Sequence, residues 1–427
     1  MKRTLAALIA IAVISGMAAA TDTRIASIGA STTFLRDYSD IYFIPSNLAM
    51  YPKQITAELG PGAPAGYPYY GSASVTWTNN EEQTWGVMGL DVNHAIHGED
   101  QFKLDITAVN AWIGGPDVIP HLDNKWHLFW AKKFGTMTAG LHLARAAGSM
   151  TYDYTDSTSL NINQEASSGL WNVNLGLTMA PMENVDLDLA FAYQMLSFSG
   201  EDAWSVTGAS GSTKIESDGG SNILFGARAF YGMSDELKLV PSFGLNMYSL
   251  GFKTSYAGLD TVGNTPEGGK KSMMNVAGAF GLNYQPHENV TILGGLHLGY
   301  GKATIEDTTA LFGTGSKTET WTVLTLPGFS AGVEAELVKW LWLRLGASKM
   351  MSKTSAEYKW HSVPTGNVTE ESSSTAAPYA FTFGLGLKFG RLCIDAKLND
   401  DQPFDLGYLI SGNPGSPFTQ VSATYKF

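Results

Sequence analysis

The feature that most restricts the fold of this chain is a set of long segments. In these segments apolar and polar side chains alternate strictly. In WNVNLGLTM, residues 171–179, the apolar side chains fall on one face, and Asn, Gly and Thr fall on the other. After APMEN, the segment VDLDLAFAYQM at 185–195 repeats this pattern. Such alternation predicts β-strands. Both segments have about the ten residues that a tilted strand needs to cross a bilayer.

The composition of the polar face favours a membrane barrel over a soluble sandwich. A soluble antiparallel sandwich turns its polar face to water. Here that face is rich in Gly, Ala, Asn and Thr and poor in Lys and Glu, which suits a crowded lumen. The 47 glycines and the 11% aromatic residues also fit strands joined by turns. After the first twenty residues, no stretch reaches the ~18 apolar residues of a spanning helix, so a membrane location requires strands.

The connections between the strands are of two kinds. PMENV (181–185) recurs as PHENV (286–290), and other short turns occupy corresponding places. Those other turns lie at 232–237, 337–340 and 389–392. The opposite connections are predicted to be long polar loops at 149–168, 200–218, 254–270, 305–317 and 353–375. Short periplasmic turns and long exterior loops are typical of outer-membrane barrels.

These patterns together predict an all-β fold, a transmembrane antiparallel β-barrel of about 14–16 strands. The expected strands lie near 54–59, 71–79, 84–92, 124–133, 135–147, 169–180, 184–197, 220–231, 236–252, 272–284, 289–304, 318–337, 340–352, 377–389, 391–399 and 417–427. Their number is even, as in single-chain bacterial barrels.

The two ends of the chain indicate export to an outer membrane. Lys2 and Arg3 precede a short apolar stretch and a small-residue cleavage site, so 1–20 is predicted to be a signal peptide. The last strand ends in Phe427 and resembles the assembly signal of bacterial outer-membrane barrels. Membrane lipid and the barrel-assembly machinery are therefore expected partners.

The net charge of −12 argues against binding to nucleic acid. The single cysteine, Cys393, excludes an internal disulfide framework.

Residues 21–52 differ from the rest of the chain because they are apolar without a period of two. Pro45 and Pro52 would each interrupt a strand ladder. In the periplasm these apolar groups would face water, whereas the lumen of a barrel of about 14 strands has room for them. We therefore predict a hatch in the lumen, followed by the barrel at 53–427. A flexible leader is the alternative.

Three segments carry a resemblance to a known superfamily. DYSDIYFIPSNLAMYP (37–52) resembles the N-terminal segment of FadL-type and PorV-type outer-membrane proteins, although Ile-Pro-Ser stands where the family has Asn-Pro-Ala. GVEAELVKWLWLRLGAS (332–348) and FTFGLGLKFGRLCIDAKL (381–398) are similar to two of its hairpins. The matching hatch residues are Asp37, Tyr42, Pro45 and Leu48. The resemblance implies that the hatch folds inside the barrel of a Gram-negative bacterium.

Alternation also places a set of charged residues on the lumen face near the periplasmic end. These residues are Glu334, Arg344, Lys388, Asp395 and Lys397. We expect a network that fixes the wall and seats the hatch, which is favoured over substrate binding because ion-pair networks in walls are commonly structural.

Catalytic and metal chemistry is not expected. HAIHGED (94–100) has two His and two acids, but it lies in an expected exterior loop and its spacing fits no zinc pattern. GFSAG (328–332) has the spacing G-x-S-x-G, but it lies within the predicted strand 318–337 and lacks the strand–turn–helix context of that hydrolase signal. His142 and His297 can face the lumen, but no Ser or acid is assigned beside either. Cys393 is interpreted as a packing residue. The sequence therefore predicts no enzyme and no cofactor.

Two prolines fall within predicted strands. Pro327 lies about one bilayer crossing from the turn at 337–340 and is therefore expected at the outer rim of the barrel. Pro241 lies inside the membrane span. Since proline cannot donate to a ladder, we predict a local distortion at 240–242. A plain bulge is favoured, and a lateral exit for an apolar ligand is the alternative.

The resemblance implies passive uptake of small, hydrophobic compounds. A binding or secretion-accessory role like that of PorV-type relatives and an open general porin are the alternatives. An apolar plug argues against the open porin, whose selectivity would follow its lumen charge.

Overall fold

The computed structural model describes residues 23–29, 32–60, 71–80, 82–112, 119–156, 160–258, 268–307, 315–362, 366–398 and 418–427. The predicted signal peptide at 1–20 lies outside these residues. The strands are β1 (Gln54–Leu59), β2 (Gly71–Thr78), β3 (Val87–Val92), β4 (Asn124–Phe134), β5 (Met137–Thr155), β6 (Asn161–Met182), β7 (Val185–Val206), β8 (Ala209–Gly232), β9 (Leu237–Gly258), β10 (Gly268–His287), β11 (Val290–Asp307), β12 (Gly315–Val338), β13 (Leu341–Ser362), β14 (Gly366–Ala376), β15 (Tyr379–Phe389), β16 (Leu392–Leu398) and β17 (Phe418–Lys426).

The described residues contain five helices, of which only one is longer than six residues. They are α1 (Thr23–Ile28), α2 (Glu99–Trp112) and three 3₁₀ helices at Thr32–Phe34, Tyr38–Tyr42 and Pro45–Met50. None of the helices in the described ranges is long and apolar enough to cross a membrane.

The strands form one closed antiparallel sheet. β1 pairs with both β2 and β17, which closes the barrel. β14 and β15 both pair with β13, along 352–362 and 341–349 respectively. They are thus two parts of one wall strand, interrupted at Pro378. The wall therefore has sixteen strands, and the predicted all-β barrel is confirmed.

Burial along the strands is the reverse of that in a soluble protein. On β6, Leu175 is 53% exposed, whereas its neighbour Asn174 is 1% exposed. Trp171 and Phe191 also point outward, and Gln194 on β7 is fully buried. Apolar side chains face outward because the surroundings of a membrane barrel are hydrocarbon, and polar side chains line its interior.

The wall extends well beyond the predicted strands at its outer end. β5 to β13 contain 18 to 24 residues each, more than the ~11 that a bilayer crossing needs. The predicted loops at 149–168 and 200–218 are wrong, because Thr155 pairs with Asn161 and Val206 pairs with Ala209. Outside the membrane the outward face of a strand contacts water instead of lipid, so the outward apolar pattern ends while the hydrogen-bonded ladder continues.

The connection between β3 and β4 folds into the barrel. We expected 94–100 to lie in an exterior loop, but His94 is buried and helix α2 follows. Phe102, Ile106 and Val109 on one face of α2 pack against inward apolar side chains of the wall. The expectation was wrong because a helix with an apolar stripe buries that stripe wherever an apolar surface faces it.

Candidate functional site

The N-terminal segment crosses the interior of the barrel. Helix α1 contacts β13, β15 and β16, the first 3₁₀ helix contacts β9 to β11, and the third contacts β4 to β6. A segment that touches strands on several sides of a closed barrel lies in its lumen. We call residues 23–52 the hatch, and the candidate site is the interior that the hatch shares with the wall.

The wall holds a buried triad of charged residues near the short turns. Arg344 on β13 donates from Nε to Glu334 on β12 at 2.6 Å. Its Nη2 lies 2.7 Å from a carboxylate oxygen of Asp395 on β16. These are three of the five residues predicted for the lumen charge network. Lys388 is exposed and forms no ion pair with the described residues, and Lys397 is half-buried two residues beyond Asp395.

The hatch binds directly to this triad. Arg24 donates from Nη2 and Nε to the Glu334 carboxylate, at 2.6 and 2.9 Å. Arg24 also forms an ion pair with Asp37, and Asp37 caps the second 3₁₀ helix by accepting from the Tyr38 N–H at 2.7 Å. Glu334 thus accepts from one arginine of the wall and one of the hatch, and charge-assisted bonds of this kind are strong and geometrically specific.

A second ion cluster lies among β7, β8 and the hatch. Arg228 donates from Nε to Asp188 at 2.9 Å and from Nη2 to Asp40 at 2.5 Å. Arg36 of the hatch binds the other Asp188 oxygen at 2.9 Å. The sequence analysis missed this cluster. Its signal was available, since Asp188 and Arg228 are directly opposite on adjacent strands and both alternate with outward apolar residues.

Tyr42 is the centre of a ring cluster. Its ring stacks on His94 with the ring centroids 3.7 Å apart, and its hydroxyl donates to Asp91 at 3.1 Å. His142 Nδ1 and Asn174 Nδ2 both donate to the Tyr42 carbonyl, each at 3.1 Å. These contacts fix the backbone of the hatch against β3, β5 and β6.

The histidines of HAIHGED have packing roles. His97 stacks on Phe43 of the hatch with ring centroids 4.6 Å apart, and burial lowers its pKa to about 4. A neutral His97 therefore packs like an aromatic ring at physiological pH. Across the described ranges, no three His, Cys, Asp or Glu side chains are arranged to hold a metal ion.

His297 has a neighbour that the sequence analysis did not assign. Ser330 Oγ lies 2.8 Å from His297 Nε2, and Phe34 of the hatch packs on the imidazole with centroids 5.3 Å apart. Among the described residues no carboxylate forms an ion pair with His297, and its imidazole is half-buried. The Ser–His pair therefore lacks the third group that orients a catalytic histidine.

Glycines of the wall make room for the hatch. A Cβ on Gly281 or Gly295 would come within 2.2 or 2.3 Å of the Phe34 ring. A Cβ on Gly346 would lie 1.9 Å from the Ile28 carbonyl oxygen. Only a hydrogen fits at these positions, so the wall is shaped for this segment in this place.

The other hatch residues of the superfamily pattern also touch the wall. Pro45 begins the third 3₁₀ helix, where its missing N–H costs nothing. It packs against Gly140 of β5 and Gly176 of β6. Leu48 is fully buried beside Phe129 of β4 in an apolar cluster.

The expected distortion at Pro241 takes a mild form. Pro241 lies opposite Phe280 in unbroken register with β10. Toward β8, pairing lapses at Pro241 and Val240 and resumes at Leu239 without a register shift. The favoured bulge is therefore absent there. A register shift occurs instead beside Pro327, where the ladder between β12 and β13 skips from Leu326 to Phe329.

No known protein-family model and no curated protein matches this sequence. Among solved structures, the TodX ΔS2S3 mutant monoaromatic hydrocarbon channel is similar, with a TM-score of 0.42, 10% identity, and 95% of this chain and 99% of that chain covered. A Pseudomonas aeruginosa FadL homologue has a TM-score of 0.38, 12% identity, and coverages of 95% and 98%. The ferric yersiniabactin uptake receptor FyuA from Yersinia pestis has a TM-score of 0.33, 8% identity, and coverages of 88% and 80%. The solved structures similar to this chain thus include a hydrocarbon channel and a FadL homologue, at identities of 10% and 12%.

Proposed function

We propose that this barrel takes up small hydrophobic compounds passively across the outer membrane. The observation that carries the proposal is an apolar lining in the outer half of the lumen. Wide, open barrels that conduct water and ions have polar interiors. Here the lining forms one buried cluster with helix α2. Its wall members are Ala144, Ala146, Leu170, Leu196, Phe198, Ile215, Tyr248, Leu250, Met273, Ala303, Trp321 and Ala356.

The interior is divided along the barrel axis. The outer half is lined mainly by apolar side chains and suits a hydrocarbon, although it also contains the Asp105–Lys271 ion pair. The half near the short turns contains the hatch and the ion clusters around Arg344 and Arg228. A ligand bound in the outer half therefore meets a gate that ion pairs hold closed. Because the hatch and helix α2 fill the interior, we favour regulated passage of selected compounds over the free passage of a general porin. No observation favours a secretion-accessory role.

The partners proposed for the barrel follow from its surface. The outward apolar residues of the wall would contact outer-membrane lipid. Phe427, exposed at the end of β17, would be recognised by the barrel-assembly machinery. Replacing Phe427 with Ser should lower the amount of folded barrel in the membrane without changing its synthesis.

The test of uptake uses whole bacteria and the apolar dye N-phenyl-1-naphthylamine, which an intact outer membrane excludes. Expression of the barrel should speed dye entry, while entry of a disaccharide should not change. Equal acceleration of both would indicate an open pore.

A matched pair of substitutions tests the apolar lining. Met273 is 5% exposed in the lumen, and Met274 beside it points outward and is 42% exposed. Met273→Gln should slow dye entry, and Met274→Gln should not. Equal rates for the two variants at equal amounts of folded barrel would contradict the proposed path.

A further inference from the structure

Glu58 is a buried carboxylate that no cation of the described residues binds. It lies on β1, faces the lumen and is 8% exposed. Thr23 donates to it from the backbone N–H and from Oγ1, at 2.8 Å each, and Gln420 donates to it from Nε2. By contrast, Asp40 and Glu334 each bind an arginine. Burying a carboxylate is costly unless a positive charge compensates it.

A small polar cavity lies beside Glu58, between the hatch and the strands β1 and β2. Its volume open to the centre of a water-sized sphere is about 10 Å³, which is room for about one water-sized group. The described residues that line it all carry hydroxyl, carboxyl or imidazole groups, and Tyr38, Thr56 and Ser74 are among them. The cavity therefore suits a small polar or charged group.

Two buried side chains at this cavity have no hydrogen-bond partner among the described residues. They are Ser39, at Oγ, and His94, at Nε2, and they are 4% and 9% exposed. A hydroxyl oxygen accepts hydrogen bonds, and His94 Nε2 accepts them when the proton is on Nδ1. The hydrogen bonds from Thr23 and Gln420 to Glu58 all end on Oε1. A carboxylate, a hydroxyl and an imidazole nitrogen thus suit an ammonium group, which has three N–H donors.

The chain itself brings such a group to this place. The predicted cleavage after Ala20 makes Thr21 the first residue, with an α-amino group that is largely protonated at neutral pH. Thr23 is fully buried against Glu58. The Thr21 nitrogen is two residues away, so it lies within about 7 Å of the Thr23 nitrogen. The side chains at 21–23 carry no positive charge, so the α-ammonium is the one cation that these residues can supply.

We propose that Glu58, Ser39 and His94 form a binding site for the α-ammonium of Thr21. The inference goes beyond the uptake function and does not depend on it. One group then compensates the carboxylate and satisfies both unpartnered atoms. The nitrogen of residue 21 is an uncharged amide until the signal peptide is removed. Cleavage therefore completes the attachment of the hatch to the wall.

The first measurement is the reaction of the α-amino group with 2-pyridinecarboxaldehyde, which is selective for chain termini, in barrels purified from outer membranes. N-terminal sequencing should give Thr-Asp-Thr-Arg, and a different first residue would overturn the proposal. Mass spectrometry should show a reaction at least about ten-fold slower in the folded barrel than in the unfolded chain, because the buried amine reacts only when the hatch opens. Equal rates in the two states would overturn the proposal as well.

A matched pair of variants tests the carboxylate. Glu58→Gln removes the charge and keeps the shape of the side chain. It should speed the reaction of the folded barrel at least about ten-fold, because a buried charge that loses its partner is strongly destabilised. Glu82→Gln is the control, since Glu82 is exposed in the turn between β2 and β3. It should leave the rate unchanged. An unchanged rate in Glu58→Gln would refute the site.

An insertion separates the role of the ammonium from that of Thr23. Adding Gly-Ser between Ala20 and Thr21 moves the ammonium up to about 7 Å along the chain, and the contacts of Thr23 can remain. In folded barrels the insertion should make brief openings more frequent in single-channel recordings. It should do the same in Glu82→Gln and should add nothing in Glu58→Gln, because the two changes then remove one shared interaction.

Two outcomes of this cycle would contradict the proposal. Equal effects of the insertion in Glu58→Gln and in Glu82→Gln would show that the added residues act by crowding the lumen. No effect of the insertion on the barrel without other changes would show that Glu58 only holds Thr23.

Discussion

Arg24 of the hatch and Glu334 of the wall form a two-pronged ion pair, with nitrogen–oxygen distances of 2.6 and 2.9 Å. The two residues are 310 positions apart in the chain. Glu334 is held on its other side by Arg344 at 2.6 Å. Helix α1 is thereby attached to the β12–β13 hairpin, one of the segments that resemble the superfamily.

Deleting residues 24–50 should raise the ion conductance of the barrel in planar bilayers. The segment fills the lumen near the short turns, so its removal should widen the path for water and ions. Single-channel recording measures the change on barrels shown to be folded by their heat-dependent gel mobility. Unchanged conductance in a folded deletion variant would contradict the proposed hatch.

Glu334→Gln should loosen the hatch without removing it. The substitution deprives two arginines of their shared carboxylate, and breaking a buried ion pair costs about 3–5 kcal/mol. We expect more frequent brief openings in single-channel recordings. Glu336→Gln is the control, since Glu336 lies two residues further on β12 and forms no ion pair with described residues. Similar opening frequencies in both variants would exclude Glu334 as an anchor.

Gly281→Ala should displace the hatch through a clash. Its Cβ would stand 2.2 Å from the Phe34 ring, and overpacking of this kind costs about 1–3 kcal/mol. The free energy of unfolding should fall and the conductance should rise. Gly278→Ala on the same strand has its nearest neighbour at 3.7 Å and should leave both quantities unchanged.

The short turns should lie in the periplasm and the extended strand ends outside the cell. In a Cys393→Ser background, a cysteine at Ser372 on β14 should react with an impermeant thiol reagent on intact cells. A cysteine at Asn289, in the turn between β10 and β11, should react only after the outer membrane is broken. Labelling at Asn289 alone would invert the topology.

Pro241→Val should leave uptake of apolar compounds unchanged. The register of β9 is intact on both sides, although two residues lack partners on β8. Valine supplies the missing N–H and should restore that pairing. Dye entry into cells is the measurement, and a marked slowing in a folded variant would support a lateral exit at this point.

The sequence by itself determined the wall of the barrel. Alternation is a local property of the sequence. The predicted strand ends at the short turns therefore agree with the observed ends within one to three residues, as at Val185, Leu237 and Val290. The outer ends of β5 to β9 and of β13 were missed by six to eleven residues, because above the membrane no apolar face is required. Alternation also placed Glu334, Arg344 and Asp395 on the lumen face, where the structure joins them.

Only the tertiary structure decided what fills the lumen. The signal for Asp188 and Arg228 was present in the alternation, but their partners Asp40 and Arg36 lie in a segment without a period. The sequence analysis missed helix α2. The stripe of Phe102, Ile106 and Val109 is typical of a helix with one buried face, but it does not say which surface covers that face. That surface is the inside of the outer wall, built from strands far apart in the chain, and it exists only after the barrel has closed.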